Sequence, residues 1–562
     1  MAFWDIVLSS ANAKLYGRRL IPSIVDDNAR HQPEKICFSF PICYATLSEG
    51  FQDVSWRCFA NAIDKMAHFI QRRVGVSTEF DTIMYMGYPD IRAFIVLVAA
   101  VKTGHKTLFS SHRNSLVGHT NLIEQTNCKI LLHTAGFPVS GILERNRLAS
   151  FQVPELAALL DNSSCEPFPY RKTYEQSKHE PCFVIHTSGS TGLPAPVTCS
   201  HWSTATTDRH HLVDPLDGRP TVWADLFDAR RRNYVALPIS SSSGIGSGIS
   251  DTCYNNVTVV LGPPEQATAE TMVEMLQYGD IDAMTCVPST LEAFAEKPDV
   301  LVRLRGLRNI AYIGGSLSQH AGDIVSRYVQ IVTLMASTET VGVVQHVTDP
   351  EDWSYVCINP IWNGIEMRPV ANLFELVYVR NPECADFQAV FGANPHLTEY
   401  PMRDLYSQHP TKPHHWKHEG RKDDIIVFKN GCKFNPILHE RLIAAHPRVR
   451  ACMLVGTGKE MPAAIIELHA QYYTEDKSIQ RNLIKEIWPQ VIKANDVADI
   501  HGQLEERYIL FATREKPFVM GLKGTVQRYN TNRLYAQEID ALYTLIAEGG
   551  MSTLFRTESS RN

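Results

Sequence analysis

The sequence has no long hydrophobic run and no excess of positive charge. Its most apolar stretch, residues 94–101, is far shorter than the roughly 20 residues that a membrane-spanning helix needs. The N-terminus lacks a basic stretch followed by an apolar block, which argues against a secretory signal. The 54 Lys and Arg residues against 60 Asp and Glu give a net charge of −6. This balance argues against a nucleic-acid partner and against attraction to an anionic membrane.

The 13 cysteines form no CxxC pair and no cluster with the spacing of zinc ligands. Scattered cysteines are typical of a protein that is kept in a reducing compartment. We therefore expect reduced thiols and a cytoplasmic location.

A chain of 562 residues is too long for one simple core and should form at least two domains. Short apolar strands alternate with amphipathic helices, a pattern that indicates an α/β fold. Two of the predicted strands run directly into loops of small residues, FVIH into TSGSTG and IAYI into GGS. Ligands usually bind where strands of an open α/β sheet end in such loops.

The pattern changes near Gly420. Two short strands, IIVF and CKF, flank Asn430-Gly431, which is a strong signal for a hairpin turn. Helices and strands then alternate up to a last helix with an apolar stripe at Tyr535, Ile539 and Leu542. The sequence therefore predicts a large domain over residues 1–420 and a compact α+β domain over residues 421–562.

The run TSGSTGLPAP, residues 187–196, is the strongest chemical signal. Glycines let the backbone approach an anion closely, and hydroxyl and N–H groups donate to phosphate oxygens. The run is not a Walker A loop, because GxxxxGK[ST] is absent. A plain polar turn is the alternative, but this run follows an apolar strand directly, which favours phosphate binding.

Several further phrases occur together with this run, in order: GRRLIPSIVDD, AAVKTGHKTLFSSHRNS, VPSTLE, GRKDDIIVFKNGCKFNP and KGTVQR. With them the chain resembles the adenylate-forming superfamily from about Gly17 to Tyr543. The resemblance is strongest to adenylation domains of fungal enzymes similar to non-ribosomal peptide synthetases, including carboxylic acid reductases. It implies a large N-terminal α/β domain of adenylate-forming type and a small mobile α+β C-terminal domain.

The resemblance also implies roles for particular residues. The phosphates of ATP would contact Thr187, Ser188, Gly189, Ser190, Thr191 and Gly192. Adenine would lie against Gly314, Gly315, Ser316, Met335, Ala336, Ser337 and Thr338. Glu339 would be the carboxylate associated with Mg²⁺, a hard cation that prefers oxygen ligands. Asp404 and Arg421 would bind the ribose, and Asp423 would be the hinge between the domains.

The family places a catalytic lysine on a loop near the C-terminus. Its charge offsets the negative charge that builds up when a carboxylate meets the α-phosphate. Lys523 in GLKGTVQR is the candidate. Many relatives have Gly-Lys where this chain has Gly524-Thr525, so the alignment of this loop with the family leaves a shift of about two residues open. Lys516 is the weaker candidate.

The chain departs from the family pattern at three places. Ala195 stands where the phosphate loop normally carries a lysine, and Ala336 stands where a glycine is usual. The stretch LPISSSSGIGSGI, residues 237–249, has serines in place of an aromatic residue and a histidine, and no aspartate to pair with a substrate ammonium. Since an unpaired buried ammonium is costly, an aryl, keto or other non-α-amino acid fits better. The candidate pocket residues are Ser240, Ser241, Gly244 and Pro288.

His414, His415 and His418 suggest a metal site, but the family has polar and aromatic residues in this loop, and we expect no metal there. The expected activity is ATP- and Mg²⁺-dependent formation of an acyl-adenylate, followed by transfer to the phosphopantetheine thiol of a carrier protein, by a monomer. No carrier phrase follows the last predicted helix, so the carrier would be a separate partner or a part absent from this sequence. Two alternatives remain: a free-standing acyl-CoA ligase, and a degenerate domain that binds nucleotide without turnover.

Overall fold

Alternating strands and helices, as the sequence predicts, make up the computed structural model of the chain. It describes residues 15–187, 193–226, 231–263, 268–370, 372–429, 433–496, 498, 502–521 and 525–547. No helix within these ranges is both long and apolar enough to cross a membrane.

The second helix shows the amphipathic pattern that the sequence predicts. In the second helix Phe59, Ile63, Met66 and Ile70 form one fully buried face, and the Ser55 hydroxyl caps the start by accepting from Cys58 N at 3.3 Å. The α-helices of the described residues are α1 Ile21–His31, α2 Trp56–Arg73, α3 Arg92–Lys102, α4 Leu116–Gln125, α5 Ser140–Arg145, α6 Leu156–Leu160, α7 Tyr174–Ser177, α8 His201–Arg209, α9 Val222–Leu226, α10 Ser242–Ile249, α11 Ala269–Tyr278, α12 Pro288–Ala295, α13 Pro298–Leu304, α14 Gln319–Val325, α15 Ala389–Ala393, α16 Ile437–Ala444, α17 Lys477–Asp496, α18 Arg528–Leu534 and α19 Ala536–Ala547.

The strands are short and mostly buried, as expected of sheets that are covered on both faces. In chain order they are β1 Ile36–Pro41, β2 Phe51–Ser55, β3 Thr82–Met86, β4 Lys106–Phe109, β5 Ile130–His133, β6 Ala149–Gln152, β7 Pro181–Thr187, β8 Ala195–Ser200, β9 Arg232–Ala236, β10 Thr258–Val260, β11 Ala283–Cys286, β12 Asn309–Ile313, β13 Gln330–Leu334, β14 Ala336–Ser337, β15 Val341–Gly342, β16 Gln345–His346, β17 Tyr355–Ile358, β18 Ile365–Val370, β19 Leu373–Val379, β20 Glu399–Gln408, β21 His415–Arg421, β22 Ile426–Val427, β23 Lys433–Phe434, β24 Val449–Val455, β25 Ala463–Leu468 and β26 Ile509–Phe511.

Two large sheets dominate the N-terminal part. The first has the order β13-β12-β11-β9-β10-β1-β2 and is parallel except for the β1–β2 pair. The second has the order β6-β5-β3-β4-β7-β8 and is parallel except for the β7–β8 hairpin. Helix α3 is buried at every position and belongs to the largest apolar cluster. The α/β fold predicted from the sequence is confirmed.

A third sheet has the order β16-β17-β21-β20-β19-β18. The chain divides into two compact units. Unit 1 comprises Met1–Glu366, Val377–Tyr400 and Gln408–Lys417, and unit 2 comprises Met367–Leu376, Pro401–Ser407 and His418–Asn562. The predicted boundary at residues 420 and 421 falls close to the last change of unit, and it stays a prediction.

The C-terminal part of unit 2 has its own α+β core. Strands β22 and β23 form the hairpin expected around residues 430 and 431, which lie outside the described residues. Strands β24, β25 and β26 form a small sheet, and its apolar residues pack with those of α16, α17 and α19. From α16 to β26, the order of strands and helices is the one that the sequence predicts. Two helices, α18 and α19, then stand where one is predicted, and Tyr535 lies between them.

Candidate active site

Four of the candidate segments follow four neighbouring strands of the first sheet. Strands β13, β12, β11 and β9 are adjacent and parallel, so their carboxyl ends lie along one edge. The residues that come next are Met335, Gly314, Val287 and Leu237, respectively. Open parallel sheets bind ligands at this edge. The fold therefore brings the two predicted adenine segments, Pro288 and the serine-rich stretch to one place.

The segment MASTE forms a tight turn that contacts the serine-rich stretch. Strands β14 and β15 pair across it. The Ser337 hydroxyl accepts a hydrogen bond from Thr340 N at 3.0 Å, and the Thr338 hydroxyl donates to the Ser242 hydroxyl at 2.9 Å. Val341, which closes the turn, has a φ of 61°, a strained value for a β-branched residue. One hydrogen bond within the turn and one to the serine-rich stretch therefore hold the turn in place.

Glu339 lies at the tip of this turn, between β14 and β15. Burial raises the pKa of the Cys199 thiol on β8 to about 12, and the negative charge of Glu339 adds to this rise. The described residues contain no group of three or more His, Cys, Asp or Glu side chains able to hold a metal ion, at the predicted His cluster or elsewhere. One carboxylate with hydroxyl neighbours suits Mg²⁺ that is held largely by substrate phosphates.

The predicted phosphate loop connects the two strands of a hairpin. Thr187, the last residue of β7, pairs directly with Ala195, the first residue of β8. The predicted phosphate ligands between them, Ser188, Gly189, Ser190, Thr191 and Gly192, lie outside the described residues. Ala195 therefore occupies the strand position opposite Thr187 and brings no positive charge there.

Ser241 and Gly244 have local structural roles at the start of α10. The Ser241 hydroxyl donates to Pro238 O at 2.6 Å and accepts from Gly244 N at 3.0 Å, so it caps the helix. A Cβ atom on Gly244 would lie 2.1 Å from Pro238 O, so only glycine fits there. Ser240 is half-buried beside them.

Asp251 lies two residues beyond the serine-rich stretch and is fully buried in a π-helical turn, Ser250–Tyr254. Its Oδ2 atom accepts a hydrogen bond from Asn233 Nδ2 at 2.8 Å. Burial raises the pKa of the Asp251 carboxyl to about 8. The carboxyl group is therefore mainly neutral near pH 7 and is unsuited to pairing with a substrate ammonium.

The predicted ribose and hinge residues of unit 2 form a cluster of charges. Asp404 Oδ1 lies 3.8 Å from both His418 Nε2 and Arg421 Nη1. Arg421 Nη2 lies 3.7 Å from Asp423 Oδ2, and Arg403 Nη1 lies 3.3 Å from Asp423 Oδ1. These separations exceed tight hydrogen bonds, apart from the last. Asp404 thus keeps the capacity to accept hydrogen bonds from a diol.

Lys523, the predicted catalytic residue, lies outside the described residues. Around it, Gly521 N donates to Thr525 O and Gln527 N donates to Val519 O, both at 2.7 Å. The alternative, Lys516, forms an ion pair with Glu538 on α19 and lies 6.0 Å from the centre of the Tyr535 ring. The charge of Lys516 is therefore paired with a carboxylate of α19.

Sequence reasoning missed two sets of contacts. Ser242 was one of four consecutive serines, and the sequence offers no signal that singles out its contact with Thr338. The segment before α4 was quoted for the family resemblance but was given no role at the site, although Ser111 N donates to His186 Nε2 at 3.1 Å, one residue before Thr187. Its position after strand β4 was a signal that could have found it, because small polar residues follow a buried strand there.

Comparisons with known proteins agree with this architecture. Residues 25–371 match the family described as AMP-binding enzyme, and residues 423–547 match the AMP-binding enzyme C-terminal domain. Two solved structures with the same fold are a benzoate CoA ligase from Burkholderia xenovorans and the anthranilate CoA ligase AuaEII in complex with anthranoyl-AMP. Their TM-scores are 0.68 and 0.69 at 14% identity, with coverage of 91% and 95% of this chain and 99% of each structure.

Curated relatives share more sequence. An isocyanide synthase–NRPS hybrid of Aspergillus fumigatus is 33% identical over 95% of this chain and 34% of its own length. A carboxylic acid reductase of Neurospora crassa is 32% identical over 96% of this chain and 52% of its own length. The chain thus spans between a third and about half of the length of these relatives. With both family matches in order along the sequence, the chain belongs to the AMP-binding enzymes, an ATP-using family of adenylate-forming ligases.

Proposed function

We propose that this chain activates a carboxylic acid with ATP. A carboxylate oxygen of the acid attacks the α-phosphorus, the bond from that phosphorus to the bridging oxygen breaks, and pyrophosphate leaves with the electron pair. The products are an acyl-adenylate and pyrophosphate. The single observation that supports this most strongly is that four candidate segments follow four adjacent parallel strands in a member of the AMP-binding enzyme family.

Each part of the ATP molecule is assigned to its own set of residues. The adenine would lie against the loops after β12 and β13, and the phosphates beside Thr187 and the residues that follow it. Asp404 and Arg421 would hold the ribose hydroxyls, because a carboxylate accepts two hydrogen bonds from a diol. Mg²⁺ would be held by Glu339 together with the phosphates, and when bound it offsets negative charge on them.

The acid is proposed to lack an α-amino group. Residues 237–249 contain no carboxylate, and the nearby Asp251 is buried, paired with Asn233 and mainly neutral. An ammonium placed beside them would lose its hydration without a counter-charge. Aryl, keto and other non-amino acids avoid this cost. One relative is named a carboxylic acid reductase, which agrees with this class.

The second step is proposed to be transfer of the acyl group to a thiol. Lys523 would offset charge at the α-phosphate during the first step, and a turn of the small domain about Asp423 would then remove it. The thiolate sulfur attacks the acyl carbon, and AMP leaves. A carrier-protein phosphopantetheine is the proposed acceptor, since one relative is an NRPS hybrid.

The test is a pyrophosphate-release assay over a panel of aryl, keto, aliphatic and α-amino acids. We expect release that depends on a non-amino acid and that Lys523→Ala abolishes. Release with every α-amino acid and no other acid would contradict the substrate class. Thiol transfer is then followed by mass spectrometry with a phosphopantetheinylated carrier or with coenzyme A. Transfer to coenzyme A alone would favour the acyl-CoA ligase, and tight ATP binding without any turnover would favour the degenerate domain.

A further inference from the structure

The loop before α4, residues 110–115, leaves the same edge of the second sheet as the predicted phosphate loop. Strands β4 and β7 are parallel neighbours, with Thr107 paired to Phe183 and Leu108 to Val184. Continuing this register places Ser111 beside Thr187. Because parallel strands end at the same edge, the loop after β4 and the residues after β7 emerge side by side.

Hydrogen bonds join this segment to both sides of the phosphate loop. On one side, His186 Nε2 accepts from Ser111 N and from Asn114 Nδ2, each at 3.1 Å. Burial lowers the pKa of the His186 ring, which keeps this nitrogen free to accept. On the other side, Asn121 Nδ2 donates to Pro194 O at 2.8 Å.

Helix α4 also packs closely against Pro194. A Cβ atom on Gly118 of α4 would lie 3.2 Å from Pro194 Cδ, so the helix and the loop's far end are packed together. The segment from Ser111 to Asn121 therefore spans the opening of the β7–β8 hairpin. The residues just after Ser111 are therefore held near the end of β7, where the predicted phosphate loop begins.

Arg113 is the second residue after Ser111, and it is exposed. Its backbone N donates to the Ser111 hydroxyl at 3.3 Å, which fixes its place in the loop. Its guanidinium forms no ion pair with any carboxylate in the part of the chain that the structure describes. Burial and the charge of Arg113 both lower the pKa of the neighbouring His112. Arg113 is therefore the charged group of this loop near pH 7.

We infer that Arg113 supplies the positive charge for the β- and γ-phosphates of ATP that position 195 lacks. Ala195, opposite Thr187, has no charge to offer a triphosphate. A guanidinium binds phosphate oxygens with two parallel hydrogen bonds and remains charged at all working pH values. The inference rests on the proposed function, and it makes Arg113 a binding residue for the leaving pyrophosphate.

The first experiment measures the dissociation constant of ATP·Mg²⁺ by calorimetry on the full chain, without any acid. We expect Arg113→Ala to raise it roughly tenfold, the effect of losing a charged hydrogen-bonding group, and Arg113→Lys to raise it less. Arg303→Ala is the matched control, because Arg303 is an exposed arginine of unit 1 on α13. An Arg113→Ala variant that binds ATP like the Arg303→Ala variant overturns the inference.

A rescue experiment separates this role from a structural one. Ala195→Lys in the Arg113→Ala background should restore most of the lost affinity, while Ala195→Lys alone should add little. Equal gains in both backgrounds would show that the two positions act independently and would overturn the inference. If the wild-type chain bound no ATP, the proposed function would fall as well. Wild-type binding that Arg113→Ala leaves unchanged would remove the inference alone.

Discussion

The ion pair between Glu440 and Arg528 allows a prediction of how the stability of unit 2 depends on pH. Glu440 on α16 is buried, and its Oε1 atom accepts from Arg528 Nη1 and Nη2 at 2.6 and 2.7 Å and from Leu454 N at 2.5 Å. Arg528 is the first residue of α18, five positions after Lys523 in the sequence. Burial raises the pKa of Glu440 from 4.5 to about 7, while the charge of Arg528 opposes this rise. The substitution Arg528→Met removes the positive charge from this pair.

The expected loss depends on pH. Because the pKa of Glu440 is raised in the folded state, its contribution to the free energy of unfolding is fully present below pH 4.5 and is lost as pH rises through about 7. The difference between these two values corresponds to about 3 kcal/mol. Removing Arg528 raises the pKa of Glu440 further, so ionisation then costs more. The variant should be only mildly destabilised near pH 5 and should lose about 3–5 kcal/mol near pH 8.

The assay is hydrogen exchange with mass spectrometry on the full chain, comparing peptides from Val449–Val455 after correction for intrinsic exchange rates. Arg533→Met on the same helix is the control, because Arg533 is exposed. Adding Glu440→Gln to Arg528→Met should remove the pH dependence. An equal loss of protection at low and high pH, or a double variant that keeps the pH dependence, would refute this reasoning.

Three further predictions concern other groups. Asp404→Asn should raise the KM for ATP, measured by steady-state kinetics, roughly tenfold. With deoxy-ATP as the substrate, the same variant should differ little from the wild type, because removing the carboxylate and removing the hydroxyl delete the same hydrogen bonds. Glu339→Gln should raise the Mg²⁺ concentration that half-saturates pyrophosphate release, and an unchanged titration would count against its metal role. Arg19→Ala should lower the free energy of unfolding by about 3–5 kcal/mol, as measured by urea denaturation. Asp208 is fully buried and accepts a hydrogen bond from Arg19 Nε at 3.1 Å, so the variant would leave its carboxylate without a counter-charge.

Much of the fold was readable from local patterns. Apolar strands that end in small-residue loops predicted the α/β fold, and the Asn-Gly signal predicted the β22–β23 hairpin. The phosphate-loop hypothesis followed from glycines and hydroxyls after one strand, and it needs no knowledge of tertiary contacts. These features depend on neighbours in the sequence, which is why sequence alone could predict them.

Other parts of the site depend on strand register and on burial. The bonds from Ser111 and Asn114 to His186 exist because β4 and β7 are neighbours, although they are about 75 residues apart in sequence. The contact between Thr338 and Ser242 likewise joins distant segments. The neutral state of Asp251 follows from its burial beside Asn233. A single sequence carries no direct signal for any of these.

The central claim is that the chain joins an organic acid to AMP. The most direct measurement is mass spectrometry of the reaction of ATP, Mg²⁺ and each acid of the panel with the full chain, in the absence of any thiol. We expect an acyl-adenylate together with stoichiometric pyrophosphate for at least one non-amino acid, and no acyl-adenylate with Lys523→Ala. Hydrolysis of ATP to ADP, or an adenylate that forms equally well with the lysine removed, would contradict it.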